Sequence, residues 1–222
     1  MLGVFFSHVR AWGDEFARDV EQTLDDAVDR ALVRLEDLFD ANYVEIKGDA
    51  VRGLARLFDV ARVGRDGFAP PKYRTSYDHL VDEALAPICD RYAARDGKLV
   101  FASVTDLNGF AVMVPELLRR DITGDRLRDL EGNRIKRIFE DTVGLLAARV
   151  ALDRATEAPR RATRAELVER GIDLARPPGA RPFMLQTYAR DTGQIFNDVA
   201  FPVYVKGQRF GSVRLAYDPA AV

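Results

Sequence analysis

The sequence predicts an α+β fold: a five-stranded antiparallel sheet with a long N-terminal helix and a helical crossover after the second strand. Three observations carry this prediction. Apolar residues recur at steps of three and four from Phe5 to Phe39; helical spacing gives way after Gly97 to β-branched and aromatic runs; and the last three such runs are joined by tight turns, which makes an antiparallel meander. With 222 residues, 47% of them hydrophobic, the chain can build a substantial core.

The elements follow in order. Val9, Trp12, Phe16, Val20, Leu24, Ala27, Ala31, Leu35 and Leu38 share one helical stripe over residues 5–39, with no Pro and no Gly after Gly13. Two partners fit that stripe, the chain's own domain or the same helix of a second subunit. A second helical stretch covers residues 50–63, and Gly67, Pro70 and Pro71 of RDGFAPPKY break it. Helical spacing resumes from Tyr77 to Ala94, where Pro87 is expected to kink or divide the helix. KLVFASVTD, residues 98–106, and FAVMV, residues 110–114, flank an Asn-Gly turn and read as a hairpin.

Residues 116–129 read as loop with a short helix, Gly132 and Asn133 as a break and an N-cap, and Arg134 to Ala158 as a helix. Thr163 and Glu166 form a capping-box start for one short helix in a charged, Pro/Gly-punctuated surface segment. FMLQTYARD (183–191), QIFNDVAFPVYV (194–205) and RFGSVRLAYD (209–218) are the closing strands. The expected division is an N-terminal helical region, residues 1–67, that also dimerises, followed by the sheet domain, residues 68–222.

Composition narrows the function. A net charge of −2 and a pI near 5.8 without a Lys/Arg cluster lack the electrostatic footprint of a nucleic-acid binder. No apolar run approaches the ~20 residues of a membrane-spanning helix, and the start MLGVFFSHVRAW lacks the basic region of a secretion signal, so the expectation is a cytoplasmic protein without membrane insertion. Cys89 is the lone cysteine and His8 and His79 the only histidines, so neither a disulfide framework nor a protein-held metal or other cofactor is expected. No phosphate-binding glycine loop, nucleophile elbow or H-E-x-x-H occurs, and the carboxylate pairs sit on helical faces. The sequence offers no enzyme.

Polar residues within strands and the charged stretch 131–144 are the candidates for a site. Gln186, Tyr188 and Arg190 share one strand face, and Asp198 lies between Phe196 and Ala200 at period two. A carboxylate among apolar neighbours needs a cationic or N–H partner, and Arg134 and Arg137, on a helix that also carries Asp141, are the expected cations. Two readings stand: an ion pair joining helix to sheet, or a pocket for a small polar or anionic molecule.

Four blocks in order carry a resemblance: APPKYRTSYDHLVDEAL (69–85), VFASVTDLNGF (100–110), GNRIKRIFEDTVGL (132–145) and FMLQTYARDTGQIFNDVAFPVYVKGQRFGSVRLAY (183–217). Over residues 68–218 they resemble the sensory domain at the cytoplasmic C-terminal end of some bacterial methyl-accepting chemotaxis proteins, a domain similar to PAS and single-Cache sensors. The resemblance implies a PAS/Cache-like sheet, a pocket facing the crossover, and a long helix that passes ligand state to a chemotaxis signalling partner; the helical stripe allows a homodimer.

Matching positions are Asp106, Asn108 and Gly109; Asn133, Arg134, Lys136, Arg137, Phe139 and Asp141; and Gln186, Tyr188, Arg190, Asp191 and Gly193. Asp106, Asn108, Arg134, Arg137, Asp141, Gln186, Tyr188, Arg190 and Asp198 are therefore the candidate ligand-binding residues. Two departures bear on this. The family's His-Asn pair after the hairpin aromatic is replaced here by Ala111, Val112, Met113, Val114 and Pro115, and the methylation helices and hairpin tip of a receptor are missing. The first opens a different reading, a ligand-free PAS-like dimerisation or protein-interaction module.

Overall fold

The structure, a computed structural model, describes residues 2–190 and 192–222. Helix α1 (Leu2–Asp29) is followed by strand β1 (Val44–Glu45), a 3-10 helix (Gly48–Arg56), β2 (Tyr73–Arg74) and α2 (Asp78–Ala93). The hairpin β3 (Leu99–Asp106) and β4 (Ala111–Met113) leads through α3 (Arg126–Gly132), α4 (Thr142–Ala148) and α5 (Arg164–Glu169) to β5 (Met184–Ala189), β6 (Ile195–Val205) and β7 (Gln208–Tyr217). The five-stranded sheet has the order β4-β3-β7-β6-β5 with every neighbour antiparallel. The α+β class, the hairpin, the meander and the Thr163 capping box match the sequence reading.

α1 lies on one face of the sheet because its stripe is buried there: Val9, Phe16, Val20 and Leu24 are wholly inaccessible. Gly13 lets helix and sheet approach closely, since a Cβ there would sit 2.0 Å from the Phe201 ring. Of the two partners open to the stripe, the chain's own sheet takes it. α1 ends at Asp29, short of the expected Phe39. Ala31 adopts the left-handed conformation (φ 55°) and Leu32 N donates to Ala27 O, which turns the chain so that Val33 and Leu38 fold back into the core. Buried residues from Phe5 to Phe58 belong to the same core as the sheet. The helix expected over 50–63 is a 3-10 helix ending at Arg56, and α2 runs through Pro87 without being divided.

The largest correction concerns residues 134–141. They form no helix but a segment that turns at Ile135 and Lys136 and pairs antiparallel with the edge of the hairpin: Ala111 N donates to Arg137 O (2.8 Å), Lys136 N to Ala111 O (2.9 Å) and Phe139 N to Gly109 O (2.8 Å). The spacing of Ile135, Ile138 and Phe139 suits a helix, but the unsatisfied edge of β4 offers the backbone a competing ladder. Asn133 closes α3 instead of opening a helix, and the N-cap falls to Asp141, whose Oδ1 accepts from Gly144 N at 2.9 Å. α4 ends at Ala148, and Ala151 and Arg154 turn through left-handed conformations where helix was expected up to Ala158.

Candidate functional site

A cavity of about 390 Å³ lies on the sheet face opposite α1, between β3, β7 and β5 and the segment 134–144. Strand alternation builds its floor: Phe101, Ser103 and Thr105 at every second position of β3, and Arg214 of β7 beside Ser103 in register. Arg134, Arg137, Phe139 and Asp141 form one wall and Tyr188 and Arg190 another. Val114, Leu118 and Val143 make the rest of the lining largely apolar.

Four guanidiniums thus converge on one space. Arg134 and Arg137 hold their charges over the Phe139 ring, with centroid distances of 5.1 and 4.7 Å, and Arg190 lies 5.0 Å from the Phe196 centroid. Phe139 is itself clamped through its backbone, because both Gly109 and Gly144 would place a Cβ 2.2 Å from its carbonyl oxygen. Among the described residues Asp141 is the one carboxylate in the lining, and one of its oxygens is engaged by Gly144 N.

Asp198 stands behind the floor. Its partner is not Arg134 or Arg137, as the sequence reading had it, but Arg214 on the neighbouring strand, whose Nε donates to Asp198 Oδ2 at 2.9 Å while its Nη2 donates to the same oxygen. Tyr188 Oη donates to that oxygen at 3.1 Å and accepts from Arg214 Nη2. Burial acts most strongly on Arg214 and opposes its charge, yet the Asp198 carboxylate outweighs it and keeps the guanidinium pKa raised. Arg214 was missed because only Asp198 drew attention, although Ser212 and Arg214 alternate with Val213 and Leu215 in RFGSVRLAYD.

The expected set therefore divides. Arg134, Arg137, Asp141, Tyr188 and Arg190 line the cavity; Gln186 sits beside it, donating from Nε2 to Val143 O at 3.1 Å; Asp198 acts through Arg214. Asp191 lies outside the described residues. Asp106 and Asn108 do not line this cavity and belong to a separate buried network. Tyr43 Oη donates to Asp106 Oδ2, Asn108 Nδ2 donates to Tyr43 Oη at 3.0 Å, and Arg149 Nη2 donates to Asn108 Oδ1 at 3.0 Å. Asp106 Oδ1 accepts from the N–H groups of Asn108 and Phe110, which fixes the hairpin turn. Burial, the largest influence, pushes the Asp106 pKa up to about 6 against these bonds.

Comparison with protein-family models, with curated proteins and with solved structures finds no match for this chain. The site's chemistry must then be judged on its own residues. No helix among the described residues is long and apolar enough to cross a membrane, and no cluster of three or more His, Cys, Asp or Glu among them could hold a metal. Lysine supplies no group to the cavity; its recognition chemistry is that of guanidiniums, hydroxyls and one aromatic alcohol. Planar, permanently charged donors of this kind suit carboxylate or phosphate oxygens.

Proposed function

We propose that the chain is a small-molecule sensory domain of the chemoreceptor type, with a PAS/Cache-like sheet, whose cavity takes a small anionic ligand. The observation that carries this is the convergence of Arg134, Arg137, Arg190 and Arg214 on a space of about 390 Å³ floored by Ser103 and Thr105. That size lies within the range of small-molecule sites, and mixed apolar and polar walls are typical of them. The hairpin, crossover and meander order, with the cavity on the crossover side, agrees with the four-block resemblance. The ligand-free module would have this space filled by side chains.

As a sensor, the domain would report ligand state through α1 to a signalling partner, and a homodimer would form through a surface other than the stripe already buried on the sheet. The test is calorimetric titration of the purified protein with a panel of mono- and dicarboxylates and phosphate esters. At least one should bind, and Arg137→Gln should weaken it by roughly 10- to 100-fold, the worth of one charge-assisted hydrogen-bonding group. A panel that produces no heat, together with native mass spectra free of any bound small mass, would remove the reading.

A further inference from the structure

A second buried cation, away from the arginine-lined cavity, has a different chemistry. The chain carries five lysines against 28 arginines. Lys47, Lys98 and Lys206 are exposed, and Lys72 and Lys136 are buried. The two buried ones are treated oppositely. Lys136 Nζ meets Asp78 at 2.9 Å and Asp82 at 2.6 Å, a full complement of negative charge. Lys72, only 2% exposed, meets no carboxylate among the described residues. Its Nζ donates to Ile135 O at 2.7 Å and Asn133 O at 3.3 Å, and lies 5.6 Å from the ring centroids of both Phe58 and Phe68.

Lys72 also lines a cavity of about 250 Å³, together with Arg62, Arg126, Asp129, Phe68 and Ile122. Asp129 does little to balance the cations, because its oxygens accept from Thr123 N, Thr123 Oγ1 and Gly124 N. Burial acts first on Lys72, and the charges of Arg137, Arg134 and Lys136 add to it; together they push the amine's pKa well below its ordinary range, with Asp129 opposing weakly. An arginine here would keep its proton, whereas a lysine can release it. Burial penalises a charge of either sign, but the neighbouring cations Arg134, Arg137 and Lys136 oppose only a positive one, so what sign preference they impose is for a negative group on that nitrogen.

We propose that Lys72 is a carbamate-forming lysine, whose buried ε-amine, without a carboxylate partner among the described residues, takes up carbon dioxide that enters the adjoining cavity. The nitrogen lone pair forms the N–C bond, one C=O electron pair moves onto oxygen, and one N–H proton leaves to solvent, so that R–NH2 and CO2 become R–NH–COO− and H+. The remaining N–H can still donate to Ile135 O, and Arg62 and Arg126 line the same cavity as the new carboxylate. This site does not depend on the arginine-lined cavity or on the sensory reading.

The experiment is 13C NMR of the full chain, 15N-labelled at lysine and equilibrated with 13C-bicarbonate near neutral pH. Alkylative trapping of the same sample and peptide mapping locate the adduct. A lysine carbamate resonance mapped to Lys72, lost in Lys72→Arg and kept in Lys98→Arg, is the expected result. The peptide containing Lys136, equally buried but paired with carboxylates, should carry no adduct. If Lys72→Arg does not fold, the position of the adduct in the wild-type protein decides. The absence of a lysine carbamate in the folded protein, or an adduct spread equally over Lys47, Lys98 and Lys206, would overturn the proposal.

Discussion

Removing the Asp198 carboxylate should be among the most damaging single changes in the chain. In Asp198→Ala the Arg214 guanidinium keeps its charge but loses the oxygen that receives both Nε and Nη2, and the Tyr188 hydroxyl loses its acceptor. The two charged side chains are 9% and 0% exposed, so the pair is largely withdrawn from bulk solvent. Stranding one member of such a buried pair costs roughly 3–5 kcal/mol. At about 2–4 °C per kcal/mol for a chain of this size, the midpoint should fall by roughly 6–20 °C. Urea denaturation with an unchanged slope is the assay, since a guanidinium salt would screen the interaction being measured.

The double variant Asp198→Ala/Arg214→Met separates the causes. If the cost is an uncompensated charge, removing the arginine as well should restore much of the loss, giving a coupling of about 2–3 kcal/mol. Asp198→Asn should fall between, because it keeps hydrogen-bonding capacity without the charge. A loss below about 1 kcal/mol for Asp198→Ala, or two singles that simply add, would refute the reasoning.

Other consequences can be checked directly. The Asp106 carboxyl titrates near 6 in the folded chain against a reference of 3.8, so the folded state binds more protons between these values and stability gains from this group as pH falls. At about 1.4 kcal/mol per pKa unit the gain approaches 3 kcal/mol, and it should appear as a pH-dependent difference in urea midpoint between wild type and Asp106→Asn that closes at acid pH. Gly144→Ala should cost about 1–3 kcal/mol by thermal unfolding, because its Cβ would lie 2.2 Å from the Phe139 carbonyl; Gly109→Ala should cost more, since that residue also has φ +79°. Cys89 is wholly buried and its thiol pKa is pushed up by burial, so alkylating reagents should label it at neutral pH only as the protein unfolds.

The five strands of the large sheet were legible because alternation or β-branched runs coincided with a Gly-containing turn, as at Gly109, Gly193 and Gly207, whereas the two-residue strands β1 and β2, too short to show either signal, were not predicted. The non-helical course of residues 134–141 was not legible. Ile135, Ile138 and Phe139 satisfy helical spacing, and what decides against a helix is non-local, the open edge of β4 and a carboxylate pair on α2 for Lys136. The cavity was half legible for the same reason. Arg134, Arg137, Tyr188 and Arg190 stood out as polar residues in ordered segments, but their meeting with Arg214 depends on strand order, which no single segment encodes. Asp106 and Asn108 looked like ligand groups because a polar pair in a hairpin turn suits either role, and only burial shows that Tyr43 and Arg149 occupy them.

That misread segment is also where the proposed sensing would have to leave the cavity. Its residues part to two sides at the Lys136 turn: Arg134, Arg137 and Phe139 line the cavity, while Lys136 reaches around to Asp78 and Asp82 on α2. Lys136 adopts φ 62° to do so, a conformation that costs a β-carbon-bearing residue about 1–2 kcal/mol and that the paired carboxylates must offset. Burial opposes the Asp78 charge, but Lys136 and the Thr75 bonds outweigh it and hold its pKa down. α2 in turn is fastened to α1 by the stacked rings of Phe16 and Tyr92 at 4.6 Å and by Asp19 bonds to Arg91 and Tyr92. By contrast, the floor strands are locked by the Asp198–Arg214 pair and a continuous ladder. An anion drawn between floor and wall would therefore act on the wall, and one contiguous path from that wall to α1 runs through the Lys136 ammonium, the Asp78 and Asp82 carboxylates and α2.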